Sequence, residues 1–131
     1  MFLDTSGLLS LFDEGDRFHE SAGALYVAAT ARLTHSYVLA EFVPLCCTRG
    51  LYRSETLAFV SDLLDNPRVE VIWVDEVLHR SALHFLGARV DKRYSLCDAV
   101  SFLLMRRREI LEALTTDRHF EQEGFVRLLK D

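Results

Sequence analysis

Four acidic residues occupy apolar segments, where an isolated carboxylate is costly. Asp4 follows Met-Phe-Leu, Glu41 lies inside a helical run, Asp98 lies in Leu-Cys-Asp-Ala-Val and Asp117 closes Ala-Leu-Thr-Thr-Asp. A carboxylate that loses its hydration needs a compensating partner, and no Lys or Arg inside these segments has a neutralising spacing. If the fold brings the four together, the obvious partner is a divalent cation, because hard cations prefer oxygen ligands.

Each acid also has a simpler explanation when it is taken alone. Asp98 completes the capping-box pattern of Ser95-Leu-Cys-Asp98 and complements a helix dipole. Asp117 could cap the short helix that follows it, Asp4 could sit in a turn, and Glu41 could face water. Only the joint pattern favours a shared site.

Composition predicts one folded domain spanning residues 1–131. Half of the residues are apolar, which is enough for a substantial core and argues against disorder. The net charge of −5 indicates no general basic surface for nucleic acid. A cation bound among the acids would reverse the local electric field, so the negative net charge does not argue against nucleic-acid binding near them.

The three cysteines, Cys46, Cys47 and Cys97, fit neither a disulfide framework nor a zinc ribbon. They predict a reducing, cytoplasmic setting in which each is a small core residue. No run approaches the roughly 20 apolar residues of a membrane span, so we expect no membrane association.

Short apolar runs alternate with longer helical patterns, which is typical of an α/β protein with a mainly parallel sheet. The predicted strands are residues 2–5, 32–35, 69–74, 112–116 and 125–128. The predicted helices are residues 6–12, 17–31, 36–50, 54–65, 75–90, 95–108 and 118–122. Ligand sites of such sheets form at the carboxyl ends of strands. Asp4 and Asp117 both occupy strand ends, and the helices of Glu41 and Asp98 can face the same edge.

Four motifs, in order along nearly the whole chain, resemble those of a known family. They are Phe2-Leu-Asp-Thr-Ser6, Val38-Leu-Ala-Glu-Phe42, Leu96-Cys-Asp-Ala-Val100 and Leu114-Thr-Thr-Asp-Arg-His-Phe120. Each is weak alone, but together they resemble the PIN-domain ribonucleases of VapC-type bacterial toxins.

The resemblance implies a PIN-like fold, with a central five-stranded, mainly parallel sheet flanked by about seven helices. It implies that Asp4, Glu41, Asp98 and Asp117 are the catalytic, metal-binding acids of a pocket for Mg²⁺ or Mn²⁺. It also places two supporting hydroxyls, Ser6 and Thr115, beside this pocket. An RNA substrate, a small cognate antitoxin and a homodimer are expected with it.

The chemistry of the ions refines these roles. Mg²⁺ keeps several waters, so we expect Asp4 and Asp98 as direct ligands and Glu41 and Asp117 acting partly through water. The expected activity is metal-dependent hydrolysis of single-stranded or structured RNA. Two alternatives stay open: an RNA-processing PIN nuclease without an antitoxin, and a catalytically silent PIN-like binding module.

Basic and aromatic residues provide secondary hypotheses. The run Arg106, Arg107 and Arg108 either complements a helix C-terminus or contacts RNA phosphates. Further candidates for phosphate contact are Arg49, Arg53, Lys92 and Arg93, although solvated surface is the favoured interpretation for each. His119 is expected to have a surface or packing role. The middle helices carry a surplus of large apolar groups that could form a groove for an antitoxin or a second subunit.

Overall fold

The computed structural model describes all 131 residues and contains one sheet of five short parallel strands. These are β1 (Phe2–Leu3), β2 (Arg32–His35), β3 (Val69–Ile72), β4 (Glu112–Leu114) and β5 (Val126–Arg127), in the order β3-β2-β1-β4-β5. Every neighbouring pair is parallel. The order reverses at β1, so β1 lies between β2 and β4.

Seven helices connect the strands and confirm the predicted α/β class. They are α1 (Thr5–Phe12), α2 (His19–Ala28), α3 (Ser36–Thr48), α4 (Arg53–Asp65), α5 (Glu76–Gly87), α6 (Leu96–Arg107) and α7 (His119–Gln122). The helix α1 packs on α2 and α3, α3 packs on α4, and α5 packs on α6. No helix is both long enough and apolar enough to cross a bilayer.

The core explains the continuous apolar character of the central strand. Phe2 and Leu3 of β1 are both fully buried, although their side chains point to opposite faces of the sheet. This double burial is characteristic of a parallel sheet covered by helices on both faces. Phe2 stacks on Phe120, and Phe120 packs edge-on against Phe102, which joins the first strand to α7 and α6.

Several predicted boundaries were wrong because tertiary contacts override local pattern. The third strand ends at Ile72 instead of residue 74, and Trp73 is largely exposed. His35, not Ser36, caps α3, because its ring accepts the backbone N–H of Val38. Ser36 instead accepts the backbone N–H of Val74 and ties α3 to the end of β3. Leu57 and Leu64 of α4 are each more than 40% exposed, although the helix carries large apolar side chains.

Gly7 allows α1 to approach the sheet closely enough to position the residues around Asp4. A Cβ atom at this position would lie only 1.9 Å from the backbone oxygen of Leu114. No side chain fits that gap, so α1 can press directly on the backbone of β4. The contact brings the start of α1 against the segment that follows β4.

Candidate active site

Asp4 and Thr115 meet because their strands are neighbours. Leu3 of β1 is in register with Leu114 of β4, so the next residue of each strand emerges at the same carboxyl edge. The hydroxyl of Thr115 donates to Asp4 Oδ2 at 2.7 Å. Asp4 is 7% exposed and Thr115 is fully buried. The two residues, 111 positions apart in sequence, therefore form a fixed pair.

Hydroxyl groups extend this pair into a small network. The side-chain oxygens of Ser6 and Thr115 are 3.1 Å apart. Ser6 also accepts the backbone N–H of Thr116, and Thr115 accepts the backbone N–H of Asp117. The segment after β4 is therefore fastened to α1 through the hydroxyls of Ser6 and Thr115, the two that the family resemblance implies beside the pocket.

Asp98 is held at the start of α6 by a complete capping box. Ser95 accepts the backbone N–H of Asp98, and Asp98 Oδ2 accepts the backbone N–H of Ser95, both at 3.0 Å. The predicted capping role is thus confirmed, and it coexists with a place in the site. The cap occupies Oδ2, whereas Oδ1 has no protein partner.

A buried histidine connects β2 to the same part of α6. Because Val38 N–H donates to His35 Nδ1, the neutral ring carries its proton on Nε2 and donates it to Ser101 at 2.8 Å. Ser101 in turn donates to the backbone oxygen of Cys97. Burial lowers the pKa of His35 to about 3, so the ring stays neutral. This chain fixes α6 one residue before Asp98.

His119 joins Asp98 to Asp117. Its Nδ1 atom lies 3.0 Å from Asp98 Oδ2 and 3.5 Å from Asp117 Oδ2. Its backbone N–H donates to Asp117 Oδ1, and its ring packs edge-on against Tyr94. The histidine was expected to have a surface or packing role, but it contacts two of the candidate acids. The Asp-x-His spacing of residues 117–119 was the available signal.

Together the four acids line one cavity of about 450 Å³, which we call the acid cavity. Its walls include Asp4, Glu41, Asp98 and Asp117, the hydroxyl residue Ser6, and also Arg93 and His119. Glu41 is the most exposed of the acids and reaches the cavity from α3. The convergence that the sequence permitted is present in the structure.

Burial makes the charged form of Asp4 unfavourable. The pKa of this carboxyl is raised from 3.8 to about 7, chiefly by burial and in smaller part by the charges of Asp98 and Asp117. Hydrogen bonds from the Thr115 hydroxyl and the Thr5 backbone oppose the increase. Near neutral pH, Asp4 is therefore close to the midpoint of its titration in the metal-free protein.

Asp98 and Glu41 show the same tendency. Burial raises the pKa of Asp98, and Asp117 adds to the rise, whereas the Ser95 backbone and His119 lower it. Burial also raises the pKa of Glu41, with a further rise from Asp98 and a partial offset from Cys97. Carboxyl groups with raised pKa values bind protons more readily than free ones, and a cation in the same cavity would compete with those protons.

The donor set of the acid cavity suits a divalent cation. One ligand atom each from Asp98, Asp117 and His119 can be chosen so that all three lie within 4.8 Å of one another. Carboxylate oxygens suit Mg²⁺ and Mn²⁺, and an imidazole nitrogen suits transition metals such as Mn²⁺ better than Mg²⁺. Asp4 and Glu41 line the cavity outside this trio, whereas the sequence favoured Asp4 as a direct ligand.

Among the predicted basic residues, only Arg93 lines the acid cavity. Arg106 pairs with Glu123, and Arg108 makes a two-point ion pair with Glu70. Arg106 lies in the last turn of α6 and Arg108 is its C-cap residue, whereas Asp98 lies in the first turn. The basic run is thus at the end of the helix remote from the acids.

Comparison with known proteins identifies the family. The sequence pattern of the PIN domain matches residues 1–125, and the chain belongs to the PIN domain family. The 23S rRNA-specific endonuclease VapC20 of Mycobacterium tuberculosis, in two strains, is 32% identical over 127 residues. The alignment covers 96% of this chain and 95% of the relative.

The structural comparison agrees. The crystal structure of M. tuberculosis VapC20, described as a sarcin-ricin loop cleaving toxin, matches with a TM-score of 0.85 and 30% sequence identity. The match covers 95% of both chains. The resemblance to VapC-type PIN proteins drawn from the four motifs is confirmed.

Proposed function

We propose that this chain is a Mg²⁺- or Mn²⁺-dependent endoribonuclease, acts on structured ribosomal RNA and is the toxin of a toxin–antitoxin pair. The observation that supports the chemistry most directly is the acid cavity, in which acids from four distant segments share one space. The likeness to an rRNA-specific endonuclease over almost the whole chain supports the substrate and the toxin role.

Asp98, Asp117 and His119 are proposed to hold the ion. When bound, the ion would polarise a phosphodiester and lower the pKa of an attacking water. The capping box and His119 fix Asp98 Oδ2, which leaves Oδ1 available as a ligand. Asp4, clamped by Thr115, adds negative charge beside the ion once its proton has been released.

The remaining residues act on water and RNA. Glu41 is the most exposed acid of the cavity and has a raised pKa, so its carboxylate can accept the proton of the attacking water. Arg93 is the sole Arg or Lys side chain of the cavity wall and has no acidic partner within salt-bridge distance. We propose that its guanidinium binds a phosphate oxygen of the RNA.

The toxin role requires partners. Large apolar side chains stay exposed on the isolated chain, including Val27, Trp73 and Val77. Exposed apolar side chains that form a contiguous patch mark protein interfaces. They support a homodimer and a helical antitoxin segment as partners, and light scattering of the chain alone and with the product of an adjoining gene tests both.

The decisive experiment is cleavage of 23S rRNA fragments that contain the sarcin-ricin loop. Wild type is assayed with Mg²⁺, with Mn²⁺ and with a chelator, beside Asp98→Asn and an RNA of unrelated structure. We expect metal-dependent cleavage at one position that Asp98→Asn abolishes. Arg107→Gln, a surface change remote from the cavity, is the matched control and should retain activity.

The outcomes separate the alternatives. RNA binding without cleavage under any ion would favour the silent PIN-like module. Cleavage in the absence of any antitoxin gene or binding partner would favour an RNA-processing nuclease. Cleavage that survives Asp98→Asn would refute the assignment of the acid cavity.

A further inference from the structure

A second polar cavity, of opposite charge, lies next to the acid cavity. It has a volume of about 360 Å³ and carries four cationic side chains, Arg17, Arg118, Arg127 and Lys130, against a single acidic one, Asp131. We call it the basic cavity. Since the chain as a whole carries a net charge of −5, this concentration of positive charge is a local exception.

The two cavities share a wall. Thr116 lines both the acid cavity and the basic cavity. It also lines an intervening cavity of about 470 Å³, which shares Ser6 with the acid cavity and Arg17 with the basic one. The wall of this intervening cavity also holds Arg49 and two acids, Asp13 and Asp16. A continuous polar surface therefore runs from the candidate metal ligands to the cations.

The cations of the basic cavity are available to a ligand. Arg118 is exposed and makes no ion pair or side-chain hydrogen bond. Lys130 is 3.5 Å from Glu121, and Arg17 pairs with Asp131, but all four of these side chains are at least 38% exposed. Such surface pairs contribute at most about 1 kcal/mol, so a phosphate group can replace the acidic partner.

Arg127 is a largely buried residue in the wall of the basic cavity. Its guanidinium donates to the backbone oxygen of Thr116, and its side chain is only 16% exposed. Its Nε atom also pairs with Glu121 at 2.9 Å, so Arg127 supports the shared wall and leaves Arg118 as the unpaired cation of the basic cavity. Phe18, whose ring lies 4.7 Å from the guanidinium carbon of Arg17, adds an aromatic surface. Proteins that bind single-stranded RNA commonly combine cationic side chains for the phosphates with aromatic rings for the bases.

We propose that the basic cavity binds backbone phosphate of the RNA strand whose scissile phosphodiester lies in the acid cavity. The inference rests on the proposed nuclease function and adds the direction in which the strand leaves the site. The strand passes over Ser6 and Thr116 toward Arg118 and Lys130. The basic run of α6 takes no part in this path.

The test is RNA binding as a function of salt. Binding of a short oligouridylate is followed by fluorescence anisotropy in Mg²⁺, with every protein in the Asp4→Asn background to prevent cleavage. Arg118→Gln, Lys130→Gln and their combination are compared with Arg107→Gln, which removes the same charge from an exposed arginine at the end of α6. Thermal unfolding of each variant shows that the fold is retained.

Affinity falls as salt rises, and loss of one phosphate contact should make the slope of log affinity against log salt shallower by about 0.7 for a single strand. We expect this change, and up to about fivefold weaker binding at low salt, for Arg118→Gln and for Lys130→Gln. The combination should make the slope shallower by about 1.4, and Arg107→Gln should leave it unchanged. Equal losses in Arg107→Gln and the cavity variants, or no loss in any of them, would overturn the proposal.

Failure of the proposed strand path can be distinguished from failure of the proposed nuclease function. If wild type cleaves RNA with Mg²⁺ or Mn²⁺ but the cavity variants bind normally, the strand path is wrong and the nuclease assignment stands. If wild type cleaves nothing but binding depends on Arg118 and Lys130, the nuclease assignment fails and the basic cavity stands as an RNA-binding surface.

Discussion

Replacing Asp4 by Asn should stabilise the metal-free protein increasingly as the pH rises. The pKa of the Asp4 carboxyl is 3.8 without its folded surroundings and about 7 within them. A carboxyl with a raised pKa binds more protons in the folded state than in the unfolded state. Its contribution to stability is therefore fully present below about pH 4 and is lost as the pH rises through about 7.

The magnitude follows from the two pKa values. Each pH unit between them costs about 1.4 kcal/mol, so ionised Asp4 lowers the free energy of unfolding by about 4 kcal/mol at pH 8. At pH 5 the corresponding cost is about 2 kcal/mol. The advantage of Asp4→Asn over wild type should thus grow by about 2–3 kcal/mol between pH 5 and pH 8. This difference does not depend on any constant effect of the amide on packing.

Urea unfolding in chelator at the two pH values measures this difference. Ser6→Ala is the matched control, because it changes the same hydroxyl network without removing a charge. Mg²⁺ should then stabilise wild type more than Asp4→Asn, since a ligand that binds only the folded state adds RT ln(1 + [L]/Kd). A constant offset between wild type and Asp4→Asn at both pH values would refute the argument that Asp4 is held in an unfavourable charged state.

Three further changes test the contacts around the site. His119→Gln should weaken Mn²⁺ binding by about tenfold in calorimetry without RNA, and unchanged affinity would remove the histidine from the metal site. Thr115→Val should raise the pKa of the Asp4 carboxyl above its wild-type value, as followed by carbon NMR of the metal-free protein, because a donor to the carboxylate is lost; a fall would contradict the hydrogen bond. Ser101→Ala should lower the free energy of unfolding, measured with urea, by about 1–3 kcal/mol, because the buried Nε2–H of His35 loses its acceptor. An unchanged free energy of unfolding would mean that the ring finds another partner.

The sequence was informative about whatever depends on near neighbours along the chain. Apolar runs of strand and helix length predicted the α/β class, with five strands and seven helices. The capping box of Ser95 and Asp98 was readable because its partners are three residues apart. The four acids were identifiable because each interrupts an apolar segment, where a charge has no local reason to be.

Other features required contacts between distant parts of the chain. The partner of Asp4 is Thr115, and only the pairing of β1 with β4 brings them together. The acidic partners of Arg106 and Arg108, which give this run a surface ion-pairing role in the fold, lie 17 and 38 residues away. The contact of His119 with Asp98 likewise crosses from one helix to another.

Some features could be predicted and others could not, because the first depend on residues close in sequence and the second on contacts between distant segments. Helix and strand patterns record which side of a segment is buried, and that information is written into residues a few positions apart. The order of the strands is set by the packing of the whole core, so no local segment contains it. The sequence alone therefore determined which groups could do the chemistry. The tertiary structure decided which of these groups face each other, and it also placed a basic cavity beside the acid cavity.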